Sequence, residues 1–217
     1  MLHVRSGGPH HGQPVRRAGA PLGAGRAAGI LLHGRGATAD SILDLVRVLP
    51  SDGITWLAPQ AAGHTWYPNR FLAPIASNEP WLTSALDAVG DVLAQVELAG
   101  IGRRHVILAG FSQGACLALE FVIRSPARYG GVAGLSGGLI GPPGTEWPDR
   151  GSLDGTPVFL GCSDVDDHIP KARVLESAAT LRARGASVVD VLYPGMDHTV
   201  NEDELAHVRG LIEGLFS

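Results

Sequence analysis

Short apolar runs closed by glycine or proline alternate along this chain with longer amphipathic stretches, and that alternation restricts the fold more than any other feature. AGILLHGRG (28–36), ITWLAPQ (54–60), HVILAG (105–110), PVFLGCSD (157–164) and SVVDVLYPG (187–195) read as strands, and GGVAGLSGG (130–138) as a further one. Between them TADSILDLVRVLP (38–50) sets Ile42, Leu45, Val46 and Leu49 at helical spacing, with Thr38 or Asp40 to cap it and Pro50 to stop it. PWLTSALDAVGDVLAQVELAG (80–100) is a long amphipathic helix, QGACLALEFVIR (113–124) an almost wholly apolar one, and IPKARVLESAATLRARG (169–185) a helix closed by Gly185. NEDELAHVRGLIEGLF (201–216) is the last, its acids in the first turn, where the helix dipole favours them. Strand and helix in this order build an α/β protein on a mostly parallel sheet with right-handed crossovers. Ligands of such sheets sit outside the carboxyl ends of the strands. The residues that follow each strand are therefore the ones to inspect.

The 217 residues suit one domain with a sizeable core. We read residues 1–12 as a loose leader, an edge strand around Pro14 to Ala18, and 13–217 as a single α/β domain. A hydrophobic share of 45%, a charged share of 18% and a formal charge of −4 give no electrostatic case for nucleic acid. No apolar run approaches the ~20 residues of a membrane span. The N-terminal MLHVRSGGPHHGQPVRR has no apolar core of a secretory signal, so the expected location is cytoplasmic. Cys116 and Cys162 do not make a disulfide framework and read as buried reduced thiols.

Two segments spell G-x-S-x-G: GFSQG (110–114) and GLSGG (134–138). With 30 glycines in the chain a bare match is weak, and the context must choose. A nucleophile turn needs a strand before it, to aim the serine out of the sheet, and a helix after it, whose N–H groups face a developing oxyanion. Ser112 has both. Ser136 is followed by GGLIGPPG, through which no helix can run, and reads as a loop serine at a strand end.

A serine hydroxyl also needs a base, and the base a third group to hold it. On this architecture the order is Ser, acid, His. The strand PVFLGC runs into SDVDDHIP, and VLYPG runs into MDHTVNEDE, so an acid loop and a histidine loop follow in that order. His198 is the candidate base. His207 lies within the last helix as a surface residue, and His168 reads as a packing or hydrogen-bonding side chain. Asp164, Asp166 and Asp167 all stand near enough to be the acid. Asp190 and Asp197 sit in or beside the base's own strand and loop.

LLHGRGATAD, GFSQGA, DVDDHIP and GMDHTVNEDE, in this order and spacing, resemble the phospholipase/carboxylesterase family of α/β-hydrolases, which includes small bacterial carboxylesterases and the acyl-protein thioesterases. The resemblance spans about Ala27 to the C-terminus. It implies a minimal α/β-hydrolase fold with helices on both faces and no large cap domain, with Ser112 as nucleophile and His198 as base. The family's acid stands in D-P-x-V-P; alignment on Pro170 puts it at Asp166, with Asp167 where the family has proline and Asp164 as runner-up. The implied oxyanion donors are the backbone N–H groups of Arg35 and Gln113. Many relatives carry leucine at the position of Arg35, and a guanidinium at the pocket mouth would favour an anionic substrate group. His33, in the HG turn, takes a structural role.

The long aromatic segment GHTWYPNRFLAPIASNEPW (63–81) follows a strand and should lie at the site's edge. Trp66, Phe71 and Leu72 are its candidate walls for an acyl or aryl pocket. The expected activity is hydrolysis of small or medium carboxylic esters through an acyl-enzyme, with a small-molecule substrate and no cofactor. Thioesterase or lysophospholipase chemistry would use the same groups. A non-catalytic binding protein on a hydrolase scaffold is the reading of another class. SDVDDH offers metal-binding atoms, but neither it nor His10-His11 completes a ligand cluster at metal-site spacing, so no metal is expected. Oligomeric state, monomer or homodimer, is left open.

Overall fold

The computed structural model describes residues 7–216. Seven strands form one sheet: β1 (Val15–Gly19), β2 (Ala27–Leu32), β3 (Ile54–Pro59), β4 (Val106–Phe111), β5 (Gly131–Leu135), β6 (Pro157–Ser163) and β7 (Ser187–Tyr193). Their order across the sheet is β1-β3-β2-β4-β5-β6-β7. Only β1 runs antiparallel, on β3 at the edge; the rest pair in parallel. Parallel strands are covered on both faces, which is why they read as unbroken apolar runs rather than alternating ones.

The alternation of side chains along each strand sorts the core into two layers. Ala28, Ile30, Leu32, Val106 and Leu108 face one layer, packed under α2 (Trp81–Leu98), α3 (Gln113–Arg124) and α4 (Lys171–Ala183). Ala27, Leu31, Ile107 and Ala109 face the other, under α1 (Ala39–Leu43) and α5 (Glu202–Glu213). The buried face of α2 is Leu82, Ala85, Val89, Val92, Leu93 and Val96, the stripe its spacing implies. Helix α1 is shorter than expected. Thr38 caps it through a reciprocal bond with Ser41, but after Leu43 the chain tightens into a 3-10 turn over Asp44–Arg47, in which no residue is buried to hold a longer helix on the sheet.

The chain leaves β2 toward β3 on one side and returns to β4 on the other. Strands β2 and β4 therefore flank the point where strand order reverses, with Leu32 beside Gly110 in register. That reversal opens the crevice in which such folds place their ligands.

Of the expected loose leader, residues 1–6 lie outside the described residues. Residues 7–12 are turned against the body, with His10 only 3% exposed. Its backbone N–H donates to Ser84 Oγ at 2.9 Å. Its ring accepts the Ala62 N–H at Nδ1 (3.0 Å) and donates from Nε2 to the Trp66 carbonyl (2.9 Å), a pairing that fixes the neutral tautomer. Burial accordingly pushes its pKa down. Both cysteines are buried free thiols, and burial raises each to about 12. No described helix is long and apolar enough to cross a membrane.

His10→Ala removes two buried side-chain hydrogen bonds and ring contacts to Trp66 and Trp81. It should lower unfolding stability by roughly 2 kcal/mol in a urea titration; an unchanged midpoint would show that the His10 side chain contributes nothing.

Candidate active site

The turn that carries Ser112 joins β4 directly to α3, and its geometry explains both flanking glycines. A Cβ at Gly110 would lie 2.4 Å from the Gly114 carbonyl oxygen, and one at Gly114 would lie 2.1 Å from the Leu32 carbonyl oxygen. No side chain fits either gap. Ser112 itself sits at φ 54°, ψ −118°, a region an L residue rarely adopts, so the serine stands out from the sheet's edge. Gln113 is the first residue of α3, and its N–H has no partner inside the helix. The HG turn after β2 lies alongside: a Cβ on Gly34 would be 3.5 Å from Ser112 Cβ. The Arg35 backbone thus shares the end of the cleft with the start of α3.

Ser112 Oγ is 2.9 Å from His198 Nε2, and His198 Nδ1 is 2.7 Å from Asp166 Oδ2. The carboxylate requires a hydrogen on Nδ1, which leaves Nε2 to accept from the serine hydroxyl. Asp166 has no exposed side-chain surface. Its Oδ1 accepts the N–H groups of His168 (2.8 Å) and Ile169 (2.9 Å), and Cys162 Sγ lies 3.7 Å from Oδ2. Burial alone would raise its pKa; the His198 bond and the two backbone donors more than offset this and hold it below the ordinary carboxylate value. The ring of His198 is flanked by Phe111 at 5.0 Å and, edge-on, by His168 at 4.8 Å.

The other acids have different partners. Asp164 accepts the Gly195 N–H at 2.8 Å and so ties the acid loop to the turn that leads to His198. Asp190 pairs with Arg182, and Asp167 and Asp197 are exposed. Ser136 also has positive φ, at the end of β5, but it is fully buried and no helix follows it. His33 is fully buried and spans the Gly34 carbonyl (2.8 Å) and the Ala61 N–H (3.1 Å). His207 is stacked on Phe159.

Above Ser112 lies a cleft of about 420 Å³, whose apolar lining includes Tyr67, Phe71, Phe111, Cys116 and Ile169. Phe71 is the one expected wall residue found there. Trp66 is wholly buried beneath the loop, its indole N–H donating to the His33 carbonyl at 2.9 Å, and Leu72 packs against the main core instead of the cleft. The Arg35 guanidinium, expected at the pocket mouth, lines the cleft and is held there by the 65–69 loop. Nη1 donates to Thr65 Oγ1 (2.9 Å) and the Pro68 carbonyl (3.0 Å), and Nη2 to the carbonyls of Tyr67 (2.9 Å) and Asn69 (2.7 Å). The Gln113 side chain holds the same loop, accepting the Trp66 N–H (2.9 Å) and donating to the Tyr67 carbonyl (2.8 Å).

One further residue escaped the sequence reading. Glu204 caps α5 reciprocally with Asn201, three residues beyond His198, and is fully buried. Its Oε2 accepts the Asn201 N–H at 2.9 Å, while Oε1 has no partner. The same carboxyl packs on Gly161 of β6, where a Cβ would fall 2.3 Å from Oε1. Burial raises its pKa to about 7, with Asp203 adding to the rise and the Asn201 bond opposing it. The signal was there in N-E-D-E, an Asn three residues before a Glu, but a capping box does not reveal that its carboxyl is buried.

The raised value has a defined sign. The folded chain keeps a proton on Glu204 that the unfolded chain has already released, so stability falls as pH rises from about 4.5 to about 7 and stays lower above that. The loss amounts to at most about 3 kcal/mol. Urea titrations at pH 5 and pH 8 should therefore show a smaller loss for Glu204→Gln than for the wild type; equal losses would place the titration elsewhere.

The comparisons with known proteins agree with this fold. The family model for phospholipase/carboxylesterase matches residues 20–215. The crystal structure of a phospholipase/carboxylesterase from Dyadobacter fermentans superposes with a TM-score of 0.90 at 41% identity, covering 94% of this chain and 97% of that one. Acyl-protein thioesterase 1 of Saccharomyces cerevisiae is 29% identical over 133 residues; the match takes in 60% of this chain and 58% of the yeast protein, so the chain spans little more than half of that relative. Lysophospholipase-like protein 1 of Mus musculus is 23% identical over 213 residues, 88% of either chain. With the family model matched along nearly its whole length, on a parallel sheet and a strand–serine–helix turn of the expected kind, the chain belongs to the phospholipase/carboxylesterase family of α/β-hydrolases.

Proposed function

We propose that the protein is a serine hydrolase of carboxylic esters. The observation that carries this reading is the unbroken hydrogen-bonded line from Ser112 Oγ through the His198 ring to Asp166. Ser112 attacks the ester carbonyl as His198 Nε2 takes its proton. Asp166, ionised at neutral pH, orients the ring and stabilises the imidazolium. The backbone N–H groups of Gln113 and Arg35 receive the oxyanion. His198 then protonates the leaving alcohol, and water clears the acyl-enzyme by the same route. The substrate is a small ester whose apolar part lies against Phe71, Phe111 and Ile169.

A thioester would pass through the same steps, and the names of the yeast and mouse relatives favour keeping thioesters and lysophospholipids on the substrate panel. The reading as a binding scaffold without chemistry predicts an inert serine.

A fluorophosphonate probe separates these readings. Label should map to Ser112 alone, and Ser112→Ala should lower kcat on p-nitrophenyl esters by about 10³-fold or more. Asp166→Asn should keep the fold and lose about 10²- to 10⁴-fold. Absence of label on folded protein, with no ester turnover, would favour the binding scaffold.

A further inference from the structure

The cleft is charged with one sign. Among its lining residues the ionisable side chains able to be cationic are Arg35, Arg70, His168 and His198, and no carboxylate lines it. Asp166 lies beneath His198 with both oxygens engaged, and Asp167 and Asp197 on the adjoining loops are exposed, outside the lining. Many arginines elsewhere on the chain meet carboxylates, as Arg103 meets Glu97 and Arg209 meets Glu202. The two in the cleft do not. The four hydrogen bonds of Arg35 go to three carbonyls and a hydroxyl, all uncharged, so they orient its guanidinium without neutralising it. Arg70 makes a single long contact, Nη2 to the Asp167 carbonyl at 3.4 Å, and no ion pair among the described residues.

The site therefore has an apolar floor by the serine and an unneutralised positive rim. We propose that it selects esters that carry an anionic group, a carboxylate or another compact oxyanion, at the end of the chain remote from the scissile bond, and that Arg70 is the residue that reads it. The proposal rests on the ester-hydrolase reading and narrows its substrate class. Arg70 suits the task because its planar fork offers paired donors and its present partner is weak enough to be exchanged. Arg35 is held in place and adds field rather than direct contact.

The test is a series of p-nitrophenyl monoesters of dicarboxylic acids of increasing length, each matched with its neutral ω-carboxamide. At the length that reaches Arg70, kcat/KM for the acid should exceed that for the amide by about tenfold at low salt. In 1 M NaCl, where the screening length drops to about 3 Å, the gap should shrink. Arg70→Gln should remove most of it. Acids no better than amides at any length, or a preference untouched by Arg70→Gln, would overturn the proposal while leaving ester hydrolysis standing. No turnover of either series would overturn the hydrolase reading and this proposal with it.

Discussion

The close approach of α3 to the end of β2 is the constraint on which the rest of the site depends. Gly114 lies so near the Leu32 carbonyl that no side chain fits between them. Only at that distance can the first turn of a helix sit against the HG turn of the neighbouring strand. One contact therefore brings together Ser112, the Gln113 N–H and the Arg35 backbone, which come from two strands far apart in sequence. The strained φ of Ser112 follows from the same demand, since the chain must leave β4 and enter α3 with no intervening loop. The core on either side of the sheet holds this strain in place.

How much of this is legible from the sequence depends on the range of the interaction concerned. The elbow was legible because its causes are local: an apolar strand, two glycines and an apolar helix within twenty residues of one another. Ser136 could be set aside for the same reason, by the prolines that follow it. The acid was less accessible, because Asp164 and Asp166 differ only in which way the loop turns them. Two backbone donors and the edge of β6 decide that, and Asp164 proves to serve the neighbouring turn.

The misreadings were all long-range. Trp66 looks like a pocket wall beside Tyr67 and Phe71, yet its indole is drawn inward by a carbonyl 33 residues earlier. His10 looks like part of a loose leader, yet it packs between Trp66 and Trp81. The hold on Arg35 is hidden in the sequence because the loop that occupies it begins thirty residues downstream. Glu204 is recognisable in the sequence only as an acid near a helix start, and the bare Cα of Gly161 makes room to bury it. In each case main-chain groups, which sequence does not mark, are among the partners.

The clamp on the 65–69 loop has a consequence for how such a site diversifies. Arg35 and Gln113 hold that loop largely by its carbonyls and an N–H, groups that every residue type supplies. The exposed side chains at Asn69 and Arg70 are therefore under little obligation to the clamp itself, whereas Tyr67 is buried in the core. Mutations at those exposed positions can reshape the cleft while the scaffold beneath stays in register, and the clamping residues are the same two whose backbones lie beside Ser112 at the end of the cleft. Divergence in substrate preference is thus separated from the inheritance of the catalytic geometry, and a library confined to those loop positions would explore the one without disturbing the other.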